Sequence, residues 1–168
     1  PHGDFIIQDA PYENGTERCA AFPHINNYDA IINVQGDMPD ITVDIIKKVA
    51  YGLSVNESPI TTVYTKMNKD LQKDPNSVKL IHTHDSAHWF CRAGLEYGAH
   101  HLGVYGYTCK ALATYPSLHQ FEEERIEKLE QLRWLQNNYT MSVFETEFTG
   151  MEINTPEDLI EWHRLNSQ

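Results

Sequence analysis

The strongest constraint on this chain lies at Ala30-Ile31-Ile32, an apolar run that stops at Asn33-Val34-Gln35-Gly36-Asp37-Met38-Pro39 and passes into a helical pattern over residues 43–49. A β-branched run that ends in Gly-Asp, with proline two residues on and a helix beyond, reads as a buried strand presenting a carboxylate at its carboxyl edge. Ligands of open α/β sheets bind at that edge. Asp37 is therefore either a carboxylate that holds a divalent cation for a phosphate-bearing substrate or a turn aspartate that caps the next helix. Mg²⁺, which takes one or two carboxylates plus substrate oxygens, suits the first reading; the ordinary turn chemistry of Asp and Gly suits the second.

Along the rest of the chain, Phe5-Ile6-Ile7 reads as a short strand and Thr16 as the cap of a helix running through Ala20, Ala21 and Phe22. Thr42 caps the next helix, whose apolar stripe is Val43, Ile46, Val49, Ala50 and Leu53. Residues 60–65 form a strand, Asp74-Pro75-Asn76 a turn, and residues 78–81 and 88–91 a hairpin around Thr83-His84-Asp85-Ser86. A further strand covers residues 101–107, with glycines marking close backbone approach. A helix is expected over residues 121–135 and a strand over 141–144, and Thr155-Pro156-Glu157-Asp158 opens a last, capped helix. Strands alternating with helices, plus one hairpin, predict an α/β fold with a mixed sheet.

A chain of 168 residues, 40% hydrophobic, supports one core and hence one domain over residues 1–168. A formal net charge of −11 argues against nucleic-acid polymers and anionic membranes as partners, both of which need a positive field. Cys19, Cys91 and Cys109 are odd in number and widely spaced, which suits a reducing compartment better than a disulfide framework. With no signal-peptide pattern and no apolar run of spanning length, the expected setting is the cytoplasm.

His82, His84 and His88 invite a metallohydrolase reading, but the spacing misses the His-x-His-x-Asp-His pattern and the hairpin puts His84 in a solvated turn. His100 and His101 are adjacent strand residues, so only one can face a site. Neither a phosphate loop, a dinucleotide glycine fingerprint nor a serine nucleophile elbow occurs. Glu122, Glu123 and Glu124 read as a solvated helix face, whereas Glu127, Glu130, Gln131 and Arg133 lie where two or more of them reach a pocket.

Seven blocks sharpen this picture: Asn14-Gly15-Thr16-Glu17-Arg18, Asn33-Val34-Gln35-Gly36-Asp37-Met38-Pro39, Pro75-Asn76-Ser77-Val78-Lys79, Phe90-Cys91-Arg92-Ala93, His101-Leu102-Gly103-Val104-Tyr105-Gly106-Tyr107, Leu129-Glu130-Gln131-Leu132-Arg133 and Asn154-Thr155-Pro156-Glu157-Asp158-Leu159. In this order they resemble the 3-deoxy-manno-octulosonate cytidylyltransferase family, also called CMP-Kdo synthetases. The resemblance implies a mixed-sheet nucleotidyltransferase of the nucleotide-sugar type that joins CMP from CTP to Kdo with Mg²⁺, releases pyrophosphate, serves lipopolysaccharide-type glycan synthesis and forms a homodimer. It makes Asp37 a catalytic metal-binding aspartate and places Arg18 and Gln35 on the nucleotide. Arg92, His101, Tyr105, Glu130 and Gln131 fall on the sugar-acid side, with Arg92 as a fork for the carboxylate. Lys79 is either a site residue or a structural one.

Three departures stand beside the likeness. Nothing in residues 1–12 resembles the family's basic Arg-x-x-Ser-x-Arg-Leu-Pro-Gly-Lys loop, so the fold is expected to be N-terminally incomplete. The family's second metal aspartate is Asn154 here, with Glu152 near enough in sequence to substitute. The segment after Ala93 is also shorter than the family's. Two other readings stay open: a truncated, non-catalytic relative that binds a sugar acid or a partner chain, and cytidylyl transfer to a sialic-type acid.

Overall fold

Residues 99–108 alternate so completely between buried faces that the strand they form, β5 (Ala99–Thr108), becomes the axis of the molecule. The computed structural model describes residues 9–55 and 57–167. The strand expected at Phe5-Ile6-Ile7 lies outside them. Among the described residues six strands, β1 (Ala30–Val34), β2 (Ile60–Lys66), β3 (Lys79–Thr83), β4 (Ser86–Cys91), β5 and β6 (Met141–Glu145), make one sheet in the order β1-β5-β2-β6-β4-β3. β2 and β6 run parallel while β1 and β2 each pair antiparallel with β5, which gives the mixed sheet expected from the sequence.

β3 also pairs with the start of β5, through Lys79 with His100 and Leu80 with Ala99, and β4 meets β6 at Ser86 and Ser142. Five strands thus close a ring, β5-β2-β6-β4-β3, and β1 flanks it. β1 is therefore not the buried strand its apolar run suggested. Its one neighbour among the described residues is β5, its two ends are exposed, and Asn33 is its buried position.

Helices cover both faces. On one, α2 (Val43–Val55) packs Ile45 and Val49 against Val63, Leu102 and Val104. Thr42 caps it as expected, accepting from Ile45 N–H at 3.4 Å. The buried stripe, however, is Ile45, Val49 and Gly52, and Val43 is 64% exposed. The stripe turns because Gly52 meets the sheet: a Cβ there would stand 2.5 Å from both Thr61 and Phe144. Hydropathy periodicity does not weigh a glycine that lets a helix approach.

On the other face, Tyr105, Tyr107, Leu112, Tyr115, Leu132 and Trp134 form the larger core beneath α1 (Gly15–Ala20), α3 (Cys109–Leu112), α4 (Glu122–Glu127) and α5 (Leu132–Gln136). Asn14, not Thr16, caps α1, accepting from Glu17 N–H at 2.9 Å. The helix expected over residues 121–135 is broken into α4 and α5 by Lys128, whose φ of +55° puts it in the left-handed region. That conformation is costly for a residue with a side chain. It is offset by burial of Leu129 and Leu132 and by the bonds Glu130 makes from the turn that follows. The last helix, α6 (Pro156–Asn166), carries the expected Thr155–Asp158 capping box.

Candidate active site

The Asp37 turn is held by the C-terminal segment. Ile153 N–H donates to the Asp37 carbonyl at 2.8 Å and Met151 N–H to Asp40 Oδ2 at 3.0 Å, while Trp162 of α6 donates to Asp40 Oδ1 at 2.8 Å. Pinning Ile153 leaves its neighbours Glu152 and Asn154 beside Asp37, and all three line one cleft of about 90 Å³. Burial lifts the Asp37 carboxyl above its ordinary value, and the Glu152 carboxylate adds to the lift. Two carboxylates that repel one another in a half-buried cleft suit a divalent cation with one or two protein carboxylates. Among the described residues no group of three His, Cys, Asp or Glu side chains is placed to hold a metal without substrate.

Gln35 reaches the cleft across β5. Its backbone N–H donates to Gly103 O at 3.3 Å, and a Cβ at Gly103 would stand 2.5 Å from Gln35 Oε1, so a side chain there would displace the Gln35 amide. Gln35 Nε2 donates to Glu130 Oε1 at 3.1 Å, and Glu130 Oε2 accepts Thr16 N–H at 2.6 Å. Glu130 therefore ties α1 to the Asp37 strand from the turn that Lys128 creates. Burial raises its pKa although both donors oppose the rise. Gln131, 2% exposed, also lines the cleft, and its Nε2 has no hydrogen-bond partner among the described residues.

Arg92 lines the opposite wall, already engaged. Its Nη1 donates to Pro75 O at 3.2 Å and Asn76 O at 2.9 Å, and its Nε to Glu127 O at 3.1 Å, at the carbonyl end of α4. Among the described residues Nη2 carries no such bond, so one prong of the guanidinium is left for a ligand rather than a full fork. Lys79 is structural: fully buried, it donates to the carbonyls of Asp74, Ser77 and Arg92 and holds the same 74–77 loop from beneath.

His101 and Tyr105 form the floor. The His101 ring stands 4.9 Å from Phe90 and 5.2 Å from Tyr105, with Nε2 2.9 Å from Thr62 Oγ1. Burial drives its pKa down to about 3, with His100 adding to the drop, so the ring is neutral. A group whose folded pKa is depressed below an ordinary value of about 6.5 contributes stability that is full above that pH and lost as pH falls towards 3. About 2 kcal/mol is expected to go by pH 5. Urea midpoints from pH 7.5 to 5 should fall more steeply for the native chain than for His101→Gln; parallel curves would remove His101 from the acid response. Tyr105 is held well above its ordinary pKa by burial and stays protonated.

Of the residues singled out in the sequence, Gln35, Asp37, Arg92, His101, Tyr105, Glu130, Gln131 and Asn154 line this one cleft. Arg18 does not: it lies on the surface of α1, its guanidinium 5.1 Å from the Tyr12 ring. Of the other candidates, Glu127 Oε2 accepts Arg92 N–H at 2.7 Å and Arg133 is buried in the core. In the hairpin, His82 Nδ1 lies 2.9 Å from the His84 carbonyl, within the turn itself. Asn76 and Lys128 line the cleft without having been marked as site residues. An Asx turn at Asp74 and the broken helix put them there, and neither shows in periodicity.

Residues 2–147 match the cytidylyltransferase family. The chain is 36% identical over 172 residues to a 3-deoxy-manno-octulosonate cytidylyltransferase of Nitratiruptor sp., covering 93% of this chain and 72% of that protein. The chain belongs to the 3-deoxy-manno-octulosonate cytidylyltransferase family. A second family member, from Rickettsia prowazekii, is 35% identical, with 94% of this chain and 68% of that protein aligned. A solved CMP-2-keto-3-deoxy-manno-octonic acid synthetase, determined in complex with CTP, superposes with a TM-score of 0.85 at 28% identity, over 94% of this chain and 69% of that one. The mixed sheet is therefore the cytidylyltransferase fold.

Proposed function

We propose that this chain transfers CMP from CTP to Kdo and releases pyrophosphate, in supply of a lipopolysaccharide-type glycan. The observation that carries the proposal is the convergence in one cleft of the Asp37 and Glu152 carboxylates with the donors of Arg92 and Gln131. In this reaction the anomeric hydroxyl of the sugar acid forms a bond to the α-phosphorus and gives up its proton to water as the bond to the bridging oxygen breaks, and pyrophosphate departs on the opposite side. Little covalent chemistry falls to the protein, so its work is positioning and electrostatics. Gln35 serves the nucleotide, with Arg18 outside the cleft; Arg92 Nη2 and Gln131 Nε2 serve the sugar carboxylate and hydroxyls; His101 and Tyr105 form a neutral floor that adds no competing charge.

Mg²⁺ is the proposed cofactor, held by Asp37 with Glu152 or Asn154. When bound it supplies charge neutralisation at the phosphate oxygens. The proposal also includes a homodimer working in the cytoplasm, supported by the family resemblance and the cysteine pattern. Its test is pyrophosphate release by the chain with CTP, Kdo and Mg²⁺, with Kdo omitted as the control. Kdo-dependent release is expected, and a folded chain that releases none sinks the proposal.

Glu152 and Asn154 can be told apart. A carboxylate is the stronger ligand for a hard cation than an amide oxygen. Glu152→Gln is expected to weaken Mn²⁺ binding in the presence of CTP by at least about tenfold, the scale seen when groups around a metal are removed. Asn154→Asp should tighten it. Mn²⁺ electron paramagnetic resonance reads both, and unchanged affinity in Glu152→Gln would leave the second ligand to Asn154.

A further inference from the structure

The last helix has no place in either core. α6 has 11 residues, none of them buried, and Leu159, Ile160 and Leu165 are 42, 69 and 50% exposed. Trp162, Leu165 and Asn166 share with Asp40, Phe148 and Met151 the walls of a cavity of about 310 Å³, so the helix lies over a space rather than a core. A helix this short has little stability of its own in water and depends on what docks it. Beyond its own cap, the hydrogen bond that ties α6 to the other described residues runs from the Trp162 indole N–H to Asp40 Oδ1, at 2.8 Å.

Asp40 spends its other oxygen on the segment that brings carboxylate and amide to Asp37. Oδ2 accepts Met151 N–H at 3.0 Å, and two residues on, Ile153 N–H donates to Asp37 O at 2.8 Å. Glu152 lies between these two anchors and lines the Asp37 cleft, its Oε1 3.2 Å from His100 Nε2 on β5. Asn154 follows the second anchor, and its N–H donates to Asp158 Oδ2 at 3.0 Å, inside the cap of α6. Gly150 makes the approach possible, since a Cβ there would stand 2.3 Å from Asp40 Cβ. One carboxylate thus joins the 37–40 turn, the 150–154 segment and α6. Neither Asp40 nor Trp162 lines the Asp37 cleft, so both act on it through the backbone.

We propose that Asp40 is a positioning residue for the cation site and that docking of α6 through Trp162 is coupled to cation affinity. The inference rests on the cytidylyl-transfer reading above and adds to it a control on the Mg²⁺ site from outside that site. With Trp162 in place, Asp40 is held where it grips Met151, and Glu152 and Asn154 are kept beside Asp37. With α6 released, the Asp40 carboxylate turns to water, the 150–154 segment loses one of its two anchors, and cation binding must itself restore the lost order. Groups that orient metal ligands are worth about 10–100-fold in metal affinity. One step further out, at the indole, a factor of about five is expected, the lower end of couplings between sites.

Mn²⁺ electron paramagnetic resonance on the whole chain, at fixed CTP, tests this. Trp162→Phe keeps an aromatic ring and the charge of the protein while removing the indole N–H, and is expected to raise the Kd for Mn²⁺ about fivefold. Asp40→Asn, which turns an amide N–H₂ towards one of the two donors, should raise it about tenfold. Ile160→Ala, exposed on the same helix, should leave it unchanged. In turnover the KM for Mg²⁺ should rise by the same factors while kcat at saturating Mg²⁺ holds, a split that a loss of fold does not produce. Coupling is reciprocal, so solvent exchange of the Trp162 indole N–H, read by NMR, should slow about fivefold when Mg²⁺ is added with CTP and not when CTP is added alone. A Kd for Mn²⁺ in Trp162→Phe equal to that of the native chain, or an indole N–H indifferent to Mg²⁺, would overturn the coupling and leave the transferase reading standing. A folded native chain that binds no Mn²⁺ in the presence of CTP would overturn both.

Discussion

Asp37→Asn is expected to lower Kdo-dependent pyrophosphate release by about 10³-fold with the fold intact. The side chain keeps its shape, and the structural bond at this position is made by the Asp37 backbone carbonyl to Ile153, which the substitution leaves alone. What goes is a negative charge at the point where CTP, a cation and the Glu152 carboxylate meet. Charge stabilisation of a phosphoryl transition state by a metal site is worth several kcal/mol, and each 1.36 kcal/mol is a factor of ten. The raised Asp37 pKa adds a pH signature: at subsaturating Mg²⁺ the acid limb of the native rate profile should lie above the ordinary aspartate value, because proton and cation compete for the carboxylate, and saturating Mg²⁺ should move it down. The asparagine variant should lack that limb. Coupled pyrophosphate assays from pH 4.5 to 8, with circular dichroism to verify folding, give both numbers; turnover within threefold of native would take Asp37 out of the mechanism.

Much of this site was legible because its residues sit where local rules are strict. The Gly36-Asp37 turn after an apolar run, the Thr155–Asp158 box and the 101–107 strand each obey a short-range pattern, and each lies where it was expected. The blocks carrying the family likeness added Glu130, Gln131 and Arg92, which no periodicity would have gathered. Illegible features depend on tertiary closure. Lys128 has no sequence mark of a left-handed residue; it is forced there so that Leu129 can be buried and Glu130 can reach Thr16 and Gln35. Arg92 looked like a free fork because sequence does not show that three backbone carbonyls claim it first. The strand before Asp37 looked buried because its apolar content was read without its pairing, and its place beside β5 followed only from the register.

The largest stability effect should come from a residue outside the cleft. Arg133, 4% exposed, donates from Nε to both Glu124 oxygens, at 3.1 and 2.9 Å, from Nη2 to Oε1 at 2.7 Å, and from Nη1 to Glu17 Oε1 at 3.2 Å. Its guanidinium also lies 4.4 Å from the centre of the Tyr115 ring, whose hydroxyl donates to Glu130 O at 3.0 Å. One cation thus joins α1, α4 and α5 and steadies the turn that carries Glu130. Arg133→Met keeps the packing volume but strands the Glu124 carboxylate, itself 3% exposed, without a counter-charge. Breaking a buried pair from one side costs about 3–5 kcal/mol, which for a chain of this length lowers Tm by roughly 6–20 °C. Adding Glu124→Gln removes the stranded charge and should recover a large part of that loss, since an apolar or neutral replacement of both partners is tolerated far better than one orphan. Calorimetry on the single and double variants decides it. A single variant melting within about 3 °C of native would mean that Glu124 finds water or another donor, and that the three helices are held by the aromatic core around Trp134 rather than by this ion pair.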